Sequence, residues 1–238
     1  MATPTEPQAD VPAAHRRLEE HEQARWQDFY ADRSRNRPFF VDEPDENLVD
    51  WCRRGWLAPG AALDVGCGNG RNAVFLAEQG FVVQGVELSA QALAWAAETA
   101  QRRGVELQLR QASIFEQPPA PASLDLVYDS GCFHHIAPHR RQDYVALLAR
   151  ALRPGGRLGL VCFRPEGGSG LDDEQVYRQG SLGGGLGYDE ARLRMSWGKA
   201  FEILELRRMH EPEPGSGCFG LGCLWVMLAQ RVEAGKRP

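Results

Sequence analysis

Leu63-Asp64-Val65-Gly66-Cys67-Gly68-Asn69-Gly70, followed one helix later by Val86-Glu87-Leu88, is the stretch that decides the fold. An apolar run, Ala61 to Val65, enters a turn with glycine at every second position, and a helical pattern over 70–79 opens directly behind it. A second apolar run, Phe81 to Val86, ends at a carboxylate. Glycines 66, 68 and 70 let the backbone turn tightly and approach a ligand that a β-carbon would hold away. A carboxylate at the tip of the next strand can accept both hydroxyls of a ribose. Strand, glycine turn, helix, strand and acid together predict a nucleoside site in a βαβ unit.

A dinucleotide site needs Gly-x-Gly-x-x-Gly, and Arg71 stands where its third glycine would be; the Walker pattern lacks its Lys-Ser or Lys-Thr. Gly-x-Gly-x-Gly, with Asp64 two residues ahead, instead resembles the first motif of class I S-adenosylmethionine-dependent methyltransferases. Leu63 to Asn72 is especially similar to that of bacterial tellurite-resistance methyltransferases. Leu124-Asp125-Leu126-Val127-Tyr128-Asp129 resembles the family's fourth strand, and Arg153-Pro154-Gly155-Gly156 before Arg157 to Val161 resembles its turn into strand five. The resemblance implies a doubly wound α/β fold with a seven-stranded, mostly parallel sheet in the order 3-2-1-4-5-7-6, strand 7 antiparallel. It implies S-adenosylmethionine as cofactor and S-adenosylhomocysteine as its product. It also implies roles: Asp64 near the cofactor amino group, Gly66, Cys67 and Gly68 offering backbone contacts, Glu87 on the ribose and Leu88 on adenine. Ser113 stands where many relatives carry an acid facing the adenine amino group, and Ile114 can offer a backbone N–H there. Asp129 would face the methionine part.

Tyr128-Asp129-Ser130-Gly131-Cys132-Phe133-His134-His135-Ile136 resembles the matching segment of thiopurine S-methyltransferases, with Ser130 in place of an arginine. The Trp26…Tyr30…Pro38-Phe39-Phe40 layout is similar to the segment that covers the site in that group. Asp129, at the carboxyl end of a strand, is the first candidate at the chemistry, its other reading being a turn cap. His134 and His135 are candidates for a general base near neutral pH, or for packing. Tyr30, Phe40, Tyr177, Arg178 and Arg208 are candidates to touch substrate, the aromatic ones as a lid or as core. No metal is expected: Pro138 breaks the spacing of His134, His135 and His139.

The 238 residues can bury one substantial core, and a net charge of −5 argues against broad nucleic-acid affinity. No apolar run reaches the roughly 20 residues of a membrane span, and residues 1–12 lack the form of a signal peptide. The six cysteines form no Cys-x-x-Cys pair, which predicts free thiols in a reducing cytoplasm. The predicted organisation is a disordered tail over 1–13, a helical cap over 14–58 and a methyltransferase domain over 59–238. Helices are predicted near 14–31, 42–54, 70–79, 89–103, 138–152 and 189–196, and strands near 61–65, 81–86, 105–111, 124–129, 157–163, 201–209 and 219–229. A glycine-rich loop spans 165–187. The expected protein is a cytoplasmic monomer or homodimer that methylates a small molecule, at a thiol or other chalcogen, without membrane or nucleic-acid partners. Methylation of oxygen or nitrogen in a secondary metabolite, and a non-methylating protein on the same cofactor, stand as alternatives.

Overall fold

The computed structural model describes residues 11–232. Seven strands form one sheet in the order β3-β2-β1-β4-β5-β7-β6. They are β1 (Ala61–Val65), β2 (Val82–Glu87), β3 (Gln108–Gln111), β4 (Leu124–Ser130), β5 (Leu152–Phe163), β6 (Phe201–Arg208) and β7 (Leu224–Arg231). Strands β1 to β5 pair in parallel, and β7 runs antiparallel to both β5 and β6. The helices are α1 (Val11–Phe29), α2 (Glu46–Arg53), α3 (Arg71–Glu78), α4 (Ala90–Arg103), α5 (Arg141–Ala151), α6 (Asp173–Gln179) and α7 (Glu190–Trp197). Among the described residues no helix is long and apolar enough to cross a membrane.

Alternation along the strands feeds two cores, one on each face. Leu63 and Val65 pack with Val127, Leu148 and Trp197, while Ala62 packs with Trp51, Leu76 and Val226. Leu48 and Trp51 of α2 are fully buried, worth roughly 1.5–3 kcal/mol per large apolar side chain. Ser89 caps α4, its Oγ accepting from Ala92 N at 3.3 Å, and Gly104 closes the helix in the left-handed region. The glycine turn sits at the carboxyl edge of β1. Gly70, at φ 80°, begins α3, and a β-carbon there would lie 2.7 Å from Ala96 Cβ. Its lack of a side chain therefore sets how closely α3 and α4 pack.

Several boundaries differ from expectation. Helix α1 begins at Val11, inside the stretch expected to be a tail, whereas residues 1–10 lie outside the described residues. The helix expected over 138–152 is a short 3-10 turn, Pro138–Arg140, followed by α5, because Pro138 fixes its own φ and offers no N–H. The 165–187 loop contains α6, which a capping box specifies: Asp172 accepts from Gln175 N at 2.8 Å, and Gln175 Oε1 accepts from Asp172 N at 2.9 Å. Strand β7 starts at Leu224; the preceding segment instead pairs with the cap, Glu46 N donating to Phe219 O and Phe219 N to Pro44 O, each at 2.8 Å.

Candidate active site

A cavity of about 620 Å³ opens at the carboxyl edge of the sheet. Its floor is the glycine turn with Asp64, the tip of β2 with Glu87 and Leu88, and the turns after β3 and β4. Trp26 and Phe29 of α1, with Tyr30 directly after it, roof it. His134, His135, Phe163, Phe219 and Leu221 form the far wall. The carboxyl end of a parallel sheet is where strand tips diverge and a ligand fits between them.

Asp64 is only 2% exposed, and its Oδ2 has no hydrogen-bond partner among the described residues. Burial holds its carboxyl well above the usual range, partly offset by Arg71 and raised further by Asp45 and Asp129. A buried carboxylate oxygen without a donor is costly, and an ammonium group satisfies it. Glu87 lies across the turn. Its Oε1 accepts from Leu88 N at 2.7 Å and Ser89 N at 2.9 Å, and its Oε2 from Gly68 N at 3.2 Å. Burial raises its carboxyl, and the three N–H groups oppose that rise. A carboxylate oxygen with one N–H donor keeps capacity for a hydroxyl. An amino group and a vicinal diol separated by a nucleoside fit this pair of acids on either side of a glycine turn.

Tyr30 reaches into the same place. A β-carbon on Gly68 would lie 2.5 Å from Tyr30 Oη, so the phenol stands directly over the turn. Burial first, then its proximity to Glu87, Cys67 and Asp64, raises its pKa. Expected as a substrate contact, Tyr30 is placed on the glycine-turn side of the cavity. Phe40 does not border the cavity; it stacks behind Tyr30, with ring centroids 5.5 Å apart, and fixes its plane. Gln27, which sequence reading did not single out, ties α1 to the floor by donating to Leu88 O at 2.7 Å. Leu88, Gly66, Cys67 and Ile114 border the cavity, as does Ser113, whose Oγ accepts from Phe115 N at 3.3 Å.

Asp129 corrects the expectation placed on it. It is fully buried and does not border the cavity. Its Oδ1 accepts from Cys132 N at 2.8 Å and Phe133 N at 3.2 Å, and its Oδ2 from Tyr144 Oη at 2.6 Å. Burial pushes its carboxyl up to about 6, and those donors oppose the rise. It anchors the turn that presents Ser130, Gly131 and Cys132, which border the cavity in its stead. Of the two readings of Asp129, the turn cap is the one its hydrogen bonds fit.

The histidines also depart from the general-base expectation. His134 is buried and stacks on Phe163 with centroids 4.0 Å apart, and its Nδ1 accepts from Phe163 N at 3.2 Å. Burial first, then Arg25, lowers its pKa to about 3. With Nδ1 accepting, the neutral ring carries its proton on Nε2, so His134 is a donor. His135, edge-on to Trp26 with centroids 4.7 Å apart, is held well below its usual pKa by burial, His134 and Arg25.

Three further candidates lie outside the cavity wall. Tyr177 Oη accepts from His139 N at 3.0 Å and meets His139 Nδ1 at 3.0 Å. Arg178 is exposed and pairs with Glu174 one turn away on α6, and Arg208 is exposed and pairs with Glu211. Arg25, Arg37 and Arg71 border the cavity instead. Arg71 is itself buried, with its guanidinium 2.6 Å from Asp45 Oδ1 and 4.3 Å from the Phe219 centroid.

Residues 62–156 match the family model described as a methyltransferase domain. The chain is 35% identical over 109 residues to the ribosomal RNA small subunit methyltransferase C of Alcanivorax borkumensis, covering 44% of this chain and 33% of that protein. It is 36% identical over 104 residues to the 27-O-demethylrifamycin SV methyltransferase of Amycolatopsis mediterranei, covering 42% of this chain and 38% of that protein. The chain thus spans little more than a third of the length of these curated relatives. A solved structure from work on the conversion of a disulfide bond into a thioacetal group during echinomycin biosynthesis superposes with a TM-score of 0.68 at 24% identity, covering 89% of this chain and 93% of that one. Residues 62–156, which hold the glycine turn, Glu87 and the tip of β4, are thus similar to a methyltransferase domain.

Proposed function

We propose that this protein transfers a methyl group from S-adenosylmethionine to a small molecule held between the far wall and the aromatic roof. The observation that carries this reading is the orphaned Asp64 oxygen, facing Glu87 across a glycine turn in a cavity that continues into an apolar chamber. When bound, S-adenosylmethionine supplies an electrophilic methyl carbon on a sulfonium. Asp64 accepts from the cofactor's amino group, Glu87 Oε2 from a ribose hydroxyl, and Leu88 and Ile114 flank the base. Tyr30 covers the turn from the end of α1. Phe163 and Trp26 exclude water from the acceptor, and His134 offers the Nε2 proton as a donor that orients it. Holding two reactants in line can contribute about 7–11 kcal/mol without a dedicated acid or base. Within this reading the acceptor atom is a thiol or other chalcogen, a preference supported by the thiopurine-like segment and by the fold likeness to a protein of disulfide chemistry.

Calorimetric titration with S-adenosylmethionine and S-adenosylhomocysteine tests the cofactor half, and the absence of binding at millimolar concentration ends the proposal. Release of S-adenosylhomocysteine across a panel of thiols, selenite, phenols and amines tests the acceptor half. The ribosomal RNA relative makes bulk RNA the necessary control arm: strong incorporation there overturns the small-molecule reading.

A further inference from the structure

The cavity is unevenly charged. Among the described residues its only two carboxylates, Asp64 and Glu87, both flank the glycine turn. The acceptor side, bounded by His134, His135, Phe163, Phe219 and Leu221, carries none. Of the three bordering arginines, Arg71 is engaged by Asp45 and Arg25 by Glu22, each at 2.6 Å. Arg37 forms no ion pair among the described residues; it stands at the exposed rim, its guanidinium 5.3 Å from the Phe29 centroid.

The acceptor side also lacks a competent base. The His134 Nδ1 lone pair is occupied by Phe163 N–H. His135 Nδ1 has no partner, but burial, His134 and Arg25 all depress its basicity. Tyr30, Cys67 and Cys132, facing in from the end of α1 and the two turns, keep their protons because burial raises all three. An acceptor arriving as an alkylammonium would meet neither a carboxylate nor a basic histidine on this side, where Cys223 is the other titratable neighbour, and its charge would oppose the sulfonium.

Building on the methyl-transfer reading above, we propose that the acceptor enters already ionised, as a flat, largely apolar anion drawn in past Arg37. An anion is poorly tolerated in an apolar chamber without a counter-charge. The bound sulfonium is that counter-charge, so productive acceptor binding follows cofactor binding. The acceptor's lone pair forms the new bond to the methyl carbon as the carbon–sulfur bond breaks and its electron pair stays on sulfur. Positive and negative charge cancel, and no proton changes hands on the enzyme. A water-poor chamber favours this step because charge disappears along it.

The test uses 4-nitrophenol, whose ionisation is visible in its absorbance, and its neutral ether 4-nitroanisole. Both are titrated into the full chain loaded with sinefungin, which carries an ammonium near the sulfonium position, or with neutral S-adenosylhomocysteine. The phenolate is expected to bind the sinefungin complex about tenfold tighter than the ether does, and tighter than it binds the S-adenosylhomocysteine complex. Its ionisation midpoint falls on binding. Arg37→Gln weakens phenolate binding by roughly threefold and flattens its salt dependence, with sinefungin affinity unchanged. In turnover, the pH–rate midpoint moves with the acidity of the aromatic thiol supplied. A midpoint that rises on binding, equal affinity for the ether, or no probe binding to a complex that does hold sinefungin overturns the anionic acceptor and leaves the methyl-transfer reading intact. Failure of both nucleoside ligands to bind removes both readings.

Discussion

Replacing Asp129 by alanine and by asparagine separates anchoring from chemistry. Alanine leaves Cys132 N–H, Phe133 N–H and Tyr144 O–H without their acceptor in a fully buried site. Each orphaned donor costs about 1–3 kcal/mol, and local relaxation of the turn reduces the total to about 3 kcal/mol. Asparagine keeps an acceptor oxygen for the two backbone donors and removes the buried charge. The size of that charge effect follows from the carboxyl, raised from the ordinary 3.8 to about 6 chiefly by burial. At about 1.4 kcal/mol per pH unit, ionising Asp129 removes about 3 kcal/mol of stability relative to the protonated protein. The folded state binds this proton more tightly than the unfolded chain does. The contribution is therefore fully present below about pH 4 and is lost as pH rises through about 6. His134 acts in the opposite sense, its pKa falling from 6.5 to about 3, so stability from that residue declines as pH falls. Comparing variant with parent at each pH cancels the histidine. Urea unfolding followed by tryptophan fluorescence at about pH 4.5 and about pH 7.5, with S-adenosylhomocysteine affinity from calorimetry, provides the measurement. Asp129→Ala should lose about 3 kcal/mol at the lower pH and about 2 kcal/mol less at the higher, and Asp129→Asn should gain on the parent by about 2 kcal/mol between the two. Both should keep nucleoside affinity within about threefold. Parental stability with abolished turnover in the alanine variant would return Asp129 to the chemistry, and a pH-independent difference for asparagine would refute the charge reasoning.

Glu87→Ala should weaken S-adenosylhomocysteine binding by about 1–3 kcal/mol through lost charged hydrogen bonds, and an unchanged dissociation constant removes Glu87 from the site. Gly68→Val forces a branched residue into a φ of 53° and against Tyr30 Oη; it should abolish nucleoside binding, and retained affinity would mean that the ligand does not approach the turn. Gln27→Ala cuts the tie from α1 to Leu88 O and should speed proteolysis within α1 while leaving the free energy of global unfolding within about 1 kcal/mol; equal cleavage rates refute a tethered roof.

Much of the fold could be read in the chain because its local signals agree. Glycine turn, Ser89 cap, Gly104 closure and apolar strand runs all specify parallel βα units, and the family resemblance supplied the strand order. What was missed depends on tertiary surroundings. Whether Asp129 faces a ligand or a backbone turn depends on the packing of Tyr144, which is fifteen residues away in sequence. The same tertiary dependence holds for His134: burial against Phe163 removes the basicity that an imidazole has in water. Helix α6 was hidden by the glycines around it, although its Asp172–Gln175 box was present to be read. The arginines that border the cavity come from α1, the following link and α3, elements whose convergence no local pattern announces.

Helix α1 spans both halves of the cavity, placing Tyr30 over the glycine turn and Trp26 against His135. In the proposed reaction the donor is held by the sheet tips, whereas the ceiling above the recipient is contributed by a segment more than thirty residues upstream of β1. If the proposed methyl transfer holds, exchange of that leading segment between homologous scaffolds, with Tyr30 retained, redirects which metabolite is modified while the source of the transferred carbon stays the same.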